Sequence, residues 1–253
     1  MKKIKGFIVF LFMIIIAAII VIPRVSHIHF NDELQSLSHS SKQTGTSKSA
    51  ESLKSNIEAT PIKKKGHYQL TLHPLDHLGR AVDAHIQLNV QNMPKAKREP
   101  RLTYNPVGWH NYKFDGKWLM NRGHLVGYQF SGLNDEPKNL VPETAYFNAG
   151  SLSGMDNNNT SSMLYYENRL AIWLKTHPKD WLDYQVTPIY KGNELIPRKI
   201  RLSYIGYDEK DQALKINIGG HESQNTQGTT TVELNNTSPN ATINYSDGTA
   251  KKK

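Results

Sequence analysis

No cysteine occurs anywhere in the 253 residues. Disulfide scaffolds, thiolate zinc sites, iron–sulfur clusters and cysteine nucleophiles are therefore excluded, and any metal must be held through oxygen or imidazole. Whatever folds must also hold together by burying apolar surface, which takes a domain of ordinary size. Hydrophobic residues make up 38% of the chain and charged residues 21%. That balance excludes a polytopic membrane protein and a wholly disordered chain, and leaves one packed domain to be located.

The N-terminal end is not that domain. Lys2, Lys3 and Lys5 precede an uncharged run from Gly6 to Ile22, which as a helix spans roughly 25 Å, just short of a bilayer's hydrocarbon core. The run ends in Val21, Ile22, Pro23 and Arg24 with no small-x-small cleavage site at its edge. Residues 1–24 are accordingly expected to be a signal anchor, with a cleaved signal peptide as the alternative. The lysines in front keep the N-terminus cytoplasmic, so the rest of the chain is expected on the outer face of a bacterial membrane, or secreted. Residues 25–66 are poor in apolar residues and read as a flexible linker. Residues 220–253, rich in Asn, Thr and Ser, read as a disordered polar tail.

The formal charge of +9 is concentrated in the wrong place to argue for nucleic acid by itself. Residues 1–66 hold ten Lys/Arg against four Asp/Glu, whereas residues 67–218 hold 18 against 15. Most of the excess thus suits membrane orientation and a solvated linker equally well.

Residues 67–219 have the length and aromatic content of a single domain. Strand-like segments fall at 68–72, 84–90, 184–190, 200–207 and 213–218, several alternating polar and apolar residues, and they predict an antiparallel sheet. A helix is expected from Ser161 to Lys175, with Thr160 or Ser161 as its N-cap and Pro178 beyond its end. A shorter one is expected to start near Pro142, where Glu143 would complement the positive helix end. The fold class is α+β.

The chemistry concentrates in Asn121-Arg122-Gly123-His124. An imidazole titrating near neutrality can take a proton from water, and a guanidinium, always charged, serves phosphate contact or an ion pair. Glycine between them allows close backbone approach. Alone, the tripeptide R-G-H is a weak signal and reads first as a surface turn. Farther on, the helix over 161–175 places Glu167 on one face with Met163, Leu170 and Leu174, so a carboxylate meets the core and needs a partner there. An ion pair with Arg169 or Lys175 is the plain alternative. His73 and His77 are four apart, but Pro74 between them argues for a turn rather than a zinc-binding helix. No P-loop, G-x-S-x-G or G-x-G-x-x-G is present, so nucleotide-dependent and serine-hydrolase chemistry have no support.

Together, N-R-G-H at 121–124, P-K-N-L-V-P-E-T from 137 to 144 and Asn148, 24 residues after His124, resemble the DNA/RNA non-specific endonucleases. These belong to the ββα-metal, or His-Me finger, nucleases, and within them the likeness is greatest to bacterial DNA-entry nucleases and streptococcal phage-type secreted DNases. The resemblance covers about residues 95–208, including Tyr104-Asn105-Pro106-Val107-Gly108-Trp109. It implies a central antiparallel sheet bearing a ββα catalytic finger with flanking helices. It further implies that His124 is the general base, that Asn148 is the direct protein ligand of a Mg²⁺ ion (with Mn²⁺ as an alternative), and that Asn139 supports the site by hydrogen bonding. Glu167 matches the glutamate that orients the hydrated metal. Arg122 and Arg101 are the expected phosphate contacts, with Arg98 an alternative that spacing does not separate from Arg101. Many members have Asp where this chain has Asn121, which removes a negative charge beside Arg122 and leaves a residue that can still accept a hydrogen bond. The implied activity is metal-dependent endonucleolytic hydrolysis of DNA, with RNA left open and 5′-phosphate products. A non-catalytic nucleic-acid-binding module on the same fold is the rival expectation.

Overall fold

The structure, a computed structural model, describes residues 58–253. The apolar run of residues 6–22 and most of the expected linker lie outside the described residues, among which no helix is long and apolar enough to cross a membrane.

Strand β1 (Gln69–Leu72) runs antiparallel to β2 (Ala84–Leu88). A tight hairpin of β3 (Lys113–Phe114) and β4 (Lys117–Trp118) then leads directly into β5 (Met120–His124). After a short helix α1 (Tyr128–Ser131), β6 (Leu140–Thr144) pairs back onto β5 and is followed at once by α2 (Ala145–Ala149). Helix α3 (Met163–Thr176) precedes two nine-residue strands, β7 (Trp181–Ile189) and β8 (Lys199–Tyr207). The chain finishes with β9 (Ala213–Leu214), β10 (Ser223–Gln224), β11 (Thr230–Asn235), β12 (Ala241–Ile243) and β13 (Ala250–Lys252). The central sheet is antiparallel, ordered β1-β2-β7-β8-β11-β10, with β9 pairing on β8. The α+β expectation thus agrees with the architecture.

Period-two alternation explains which face of the sheet is the core. Ala84, Ile86 and Leu88 of β2, Leu182, Tyr184 and Val186 of β7, and Ile200, Leu202 and Tyr204 of β8 all bury with Met163, Tyr166, Leu170 and Leu174 of α3 and with Phe130 and Phe147. Intervening positions are polar and pair with one another: His85 Nε2 lies 2.6 Å from Asp183 Oδ1, and Thr187 Oγ1 donates to Asp83 Oδ1 at 2.6 Å. Helix α3 starts one or two residues later than expected, because Ser162, not Thr160 or Ser161, accepts from Tyr165 N as the cap.

Three other expectations are corrected. Pro142 does not open a helix. It sits inside β6 opposite Arg122, and α2 begins three residues later, where the Thr144 hydroxyl accepts from Phe147 N at 3.0 Å; a threonine cap specifies the start more strongly than a proline that a strand edge also tolerates. The stretch 220–253 is no disordered tail. Its strand β11 pairs along the length of β8 from Thr230–Tyr204 to Asn235–Lys199, and Val232 and Leu234 enter the main core. The alternating pattern of Thr-Thr-Val-Glu-Leu-Asn was masked by a polar overall composition, although threonine suits strands. The last residues of the expected linker are held too, with Ile62 N donating to Asp183 Oδ2 and Ile62 O accepting from Gln87 Nε2.

Candidate active site

Strands β5 and β6 and helix α2 form a ββα finger lying against α3. In its register Asn121 faces Glu143, Gly123 faces Val141 and His124 faces Leu140. The finger is fastened from two sides. Buried Asn139 accepts from Val126 N and donates to Val126 O, which ties down the residues just after His124. On the other side Asn236, between β11 and β12, accepts from Thr144 N at 3.0 Å and donates to Pro142 O and Pro197 O. It therefore holds the point where β6 turns into α2.

These constraints deliver His124, Asn148 and Glu167 to the wall of one pocket, together with Arg98, Asn121, Arg122 and Tyr128. His124 is 9% exposed. Its Nε2 lies 2.9 Å from the carbonyl of Asn134, and since a carbonyl can only accept, Nε2 carries the proton and Nδ1 is left as the basic nitrogen. Burial lowers the imidazole's pKa and Arg98 lowers it further, against the raising effect of the Asn134 carbonyl and of Asp135. The ring is thus neutral near pH 7, the form able to accept a proton.

Glu167 turns one oxygen to Gly127 N at 2.8 Å. Burial raises its pKa to about 8, opposed by the Gly127 hydrogen bond and by Arg98. The plain alternative for this residue does not hold: Arg169 lies over the Tyr165 ring at 3.5 Å and donates to the carbonyls of Asn157 and Tyr165.

The arginines divide. Arg98 reaches the pocket of His124 and Glu167, whereas Arg101 lines only the adjoining cleft, which Arg98, Arg122, Asn121 and Asn148 share. Arg122 is held by Asn105, whose Oδ1 accepts from Nε at 3.0 Å and Nη2 at 2.6 Å, with its guanidinium 4.6 Å above the Trp109 ring. Asn121 does not take that part; its side chain faces the clefts. The Asn105 and Trp109 contacts tie the Tyr104–Trp109 segment to the histidine motif in space. Reading along the chain missed the Asn105 contact, and missed Asn236 and the buried Glu143.

Among the described residues no group of three or more His, Asp or Glu could cage a metal. The pocket instead offers the Asn148 amide and the Glu167 carboxylate. One or two oxygen ligands of this kind suit a hard divalent cation that keeps most of its water, as Mg²⁺ does.

The sequence profile of the family described as DNA/RNA non-specific endonuclease matches residues 55–206. The chain belongs to this family. Among solved structures, an extracellular nuclease is 44% identical with a TM-score of 0.66, over 78% of this chain and 100% of that one. An extracellular endonuclease is 46% identical with a TM-score of 0.67, over 77% and 91% of the two chains. The crystal structure of NucA from Streptococcus agalactiae with magnesium ion bound shares the fold at 20% identity and a TM-score of 0.53, over 78% and 84%. No curated protein matches the chain. As a DNA/RNA non-specific endonuclease, the chain places its N-R-G-H segment and Asn148 around one pocket on the ββα finger.

Proposed function

We propose that the protein is a metal-dependent, largely sequence-non-specific endonuclease that hydrolyses phosphodiester bonds of DNA outside the cell. The observation that carries this reading is the convergence on one pocket of an imidazole whose Nε2 faces a carbonyl, an amide oxygen donor and an arginine. His124 Nδ1 takes the proton from a water whose oxygen bonds to phosphorus, while the bond to the 3′ oxygen breaks; that oxygen takes a proton from solvent to become a 3′-hydroxyl, and the other product carries a 5′-phosphate. Asn148 would hold Mg²⁺ directly, and Glu167 would orient its water shell. When bound there, the ion would supply Lewis-acid stabilisation of developing negative charge. Arg98, the guanidinium in the same pocket, neutralises charge that develops on the phosphate, and Arg122 and Arg101 bind backbone phosphates along the cleft. Contacts to phosphate carry no base identity, which accounts for weak sequence preference. Asn139 and Asn236 keep the finger in register.

The extracellular setting rests on the two extracellular relatives and on the charged, apolar N-terminal sequence, which would anchor the domain at the membrane's outer face. Plasmid digestion in Mg²⁺, with and without chelator, tests the activity. Cleavage that stops with chelator, and a loss of roughly 10²–10⁴-fold in His124→Ala with unchanged circular dichroism, is the expected outcome. A gel shift without cleavage would establish the non-catalytic binding module in its place.

A further inference from the structure

Trp118 is 55% exposed and presents a large aromatic surface to solvent. It sits at the end of β4, three residues before Asn121. It lines the cleft shared by Arg98, Arg101, Arg122, Asn121 and Asn148, and on its other side a second depression bounded by Asn121 and Ala149. The first cleft is continuous with the His124 pocket through Arg98, Asn121, Arg122 and Asn148.

The hairpin beneath the ring is built to keep it still. Asp115 (φ 50°) and Gly116 (φ 76°) form a two-residue turn of the tight type that matches strand twist. Tyr112 and Phe114 stack with ring centroids 6.0 Å apart and pack with Leu119, Met120, Ala241 and Ile243 into a second small core. Lys252 of β13 pairs with Asp115 at the tip. Lys113 faces Trp118 across the strands, its Nζ 5.0 Å from the ring centroid. An exposed indole on a rigid support, with cations around it and a phosphate-binding cleft beside it, is the arrangement that stacks a nucleobase while the backbone is gripped.

We infer that Trp118 is a stacking platform for an unpaired nucleobase of the strand being cut, next to the scissile phosphate. The inference rests on the nuclease reading and deepens it. A base can lie flat on the indole only when it has left its helical stack, so the enzyme works preferentially on single-stranded or locally opened DNA. Trp118 is a positioning residue: it holds the strand so that the phosphate meets His124 and Asn148.

The test uses the full chain and short fluorescent DNA, single-stranded and duplex. Trp118→Ala should raise KM for the single strand about tenfold or more while kcat changes less than twofold, and Trp118→Phe should restore most of the loss. Duplex cleavage should change much less. In a His124→Ala background, anisotropy binding of oligonucleotides carrying one abasic site should show a position whose base matters when Trp118 is present and ceases to matter once Trp118→Ala is added. Equal losses on single strand and duplex, or an abasic penalty that persists in Trp118→Ala, overturns the platform. The binding arm separates the two readings, because it reports on Trp118 even if the wild-type chain cuts nothing. Circular dichroism guards against misfolding, and the exposed ring leaves the small core intact when truncated.

Discussion

The Glu143 carboxyl occupies the space beside Gly123 in which any other residue would place its Cβ. The two lie on paired strands of the finger, with Gly123 immediately before His124. Glycine in R-G-H therefore answers to packing across the hairpin as much as to the backbone. Gly123→Ala must displace a fully buried side chain, at an expected cost of about 1–3 kcal/mol, and should lower kcat by moving His124. Urea denaturation and steady-state rates measure both. Adding Glu143→Ala should recover part of the lost stability; if it recovers none, the clash lies elsewhere.

Glu143 is buried with neither carboxyl oxygen hydrogen-bonded. Burial, and the charge of Glu167, raise its pKa well above the ordinary value of 4.5. The folded chain keeps a proton that the unfolded chain releases, so the stability linked to this group is full below about pH 4.5 and declines as pH rises. Glu143→Gln removes that dependence. Its Tm relative to wild type should climb as pH rises above about 4.5 in chelator, and a flat difference would count against a protonated Glu143.

Arg98 lowers the His124 pKa through its charge. Arg98→Gln should therefore move the acid limb of the kcat/KM profile upward, since His124 would then protonate at higher pH. The maximal rate should fall by roughly 10²-fold with the lost phosphate stabilisation. An Arg101→Gln control should leave the acid limb in place, because that arginine stays outside the His124 pocket. If Arg101 rather than Arg98 shifts the limb, the two assignments are exchanged.

Asn236 satisfies three backbone groups at once, on Thr144, Pro142 and Pro197. Asn236→Ala leaves buried polar atoms without partners and should cost about 2–4 kcal/mol, with a loss of activity as α2 and Asn148 loosen. Ending the chain at residue 219 should be far worse, since β8 loses the β11 edge and the core loses Val232 and Leu234. A truncated chain that folds and cuts normally would show the C-terminal strands to be dispensable.

Strands β1, β2, β7 and β8 of the central sheet and the inner face of α3 could be read from consecutive residues, because period two and period 3.6 are local properties of a chain. Glu167 was legible for the same reason: a carboxylate among Met163, Leu170 and Leu174 breaks its helix's pattern. Pro142 and the polar C-terminal stretch were misread where composition outweighed pattern. The two-residue β3–β4 hairpin, by contrast, becomes informative only once its pairing exposes Trp118.

His124 was legible as a candidate base from its residue type, and Asn148 only through the resemblance of the segments around it to a known family; both belong to one short strand–strand–helix finger. Folding over longer distances decided the rest: that Arg98 and not Arg101 enters the pocket, that Asn105 holds Arg122, that Glu143 fills the gap beside Gly123, and that Asn236 clasps Thr144 from 92 residues away. A side chain's neighbours within a helix or strand follow from geometry repeated at every residue. Its neighbours across a sheet or a core depend on register and closure, which exist only when the whole domain has packed.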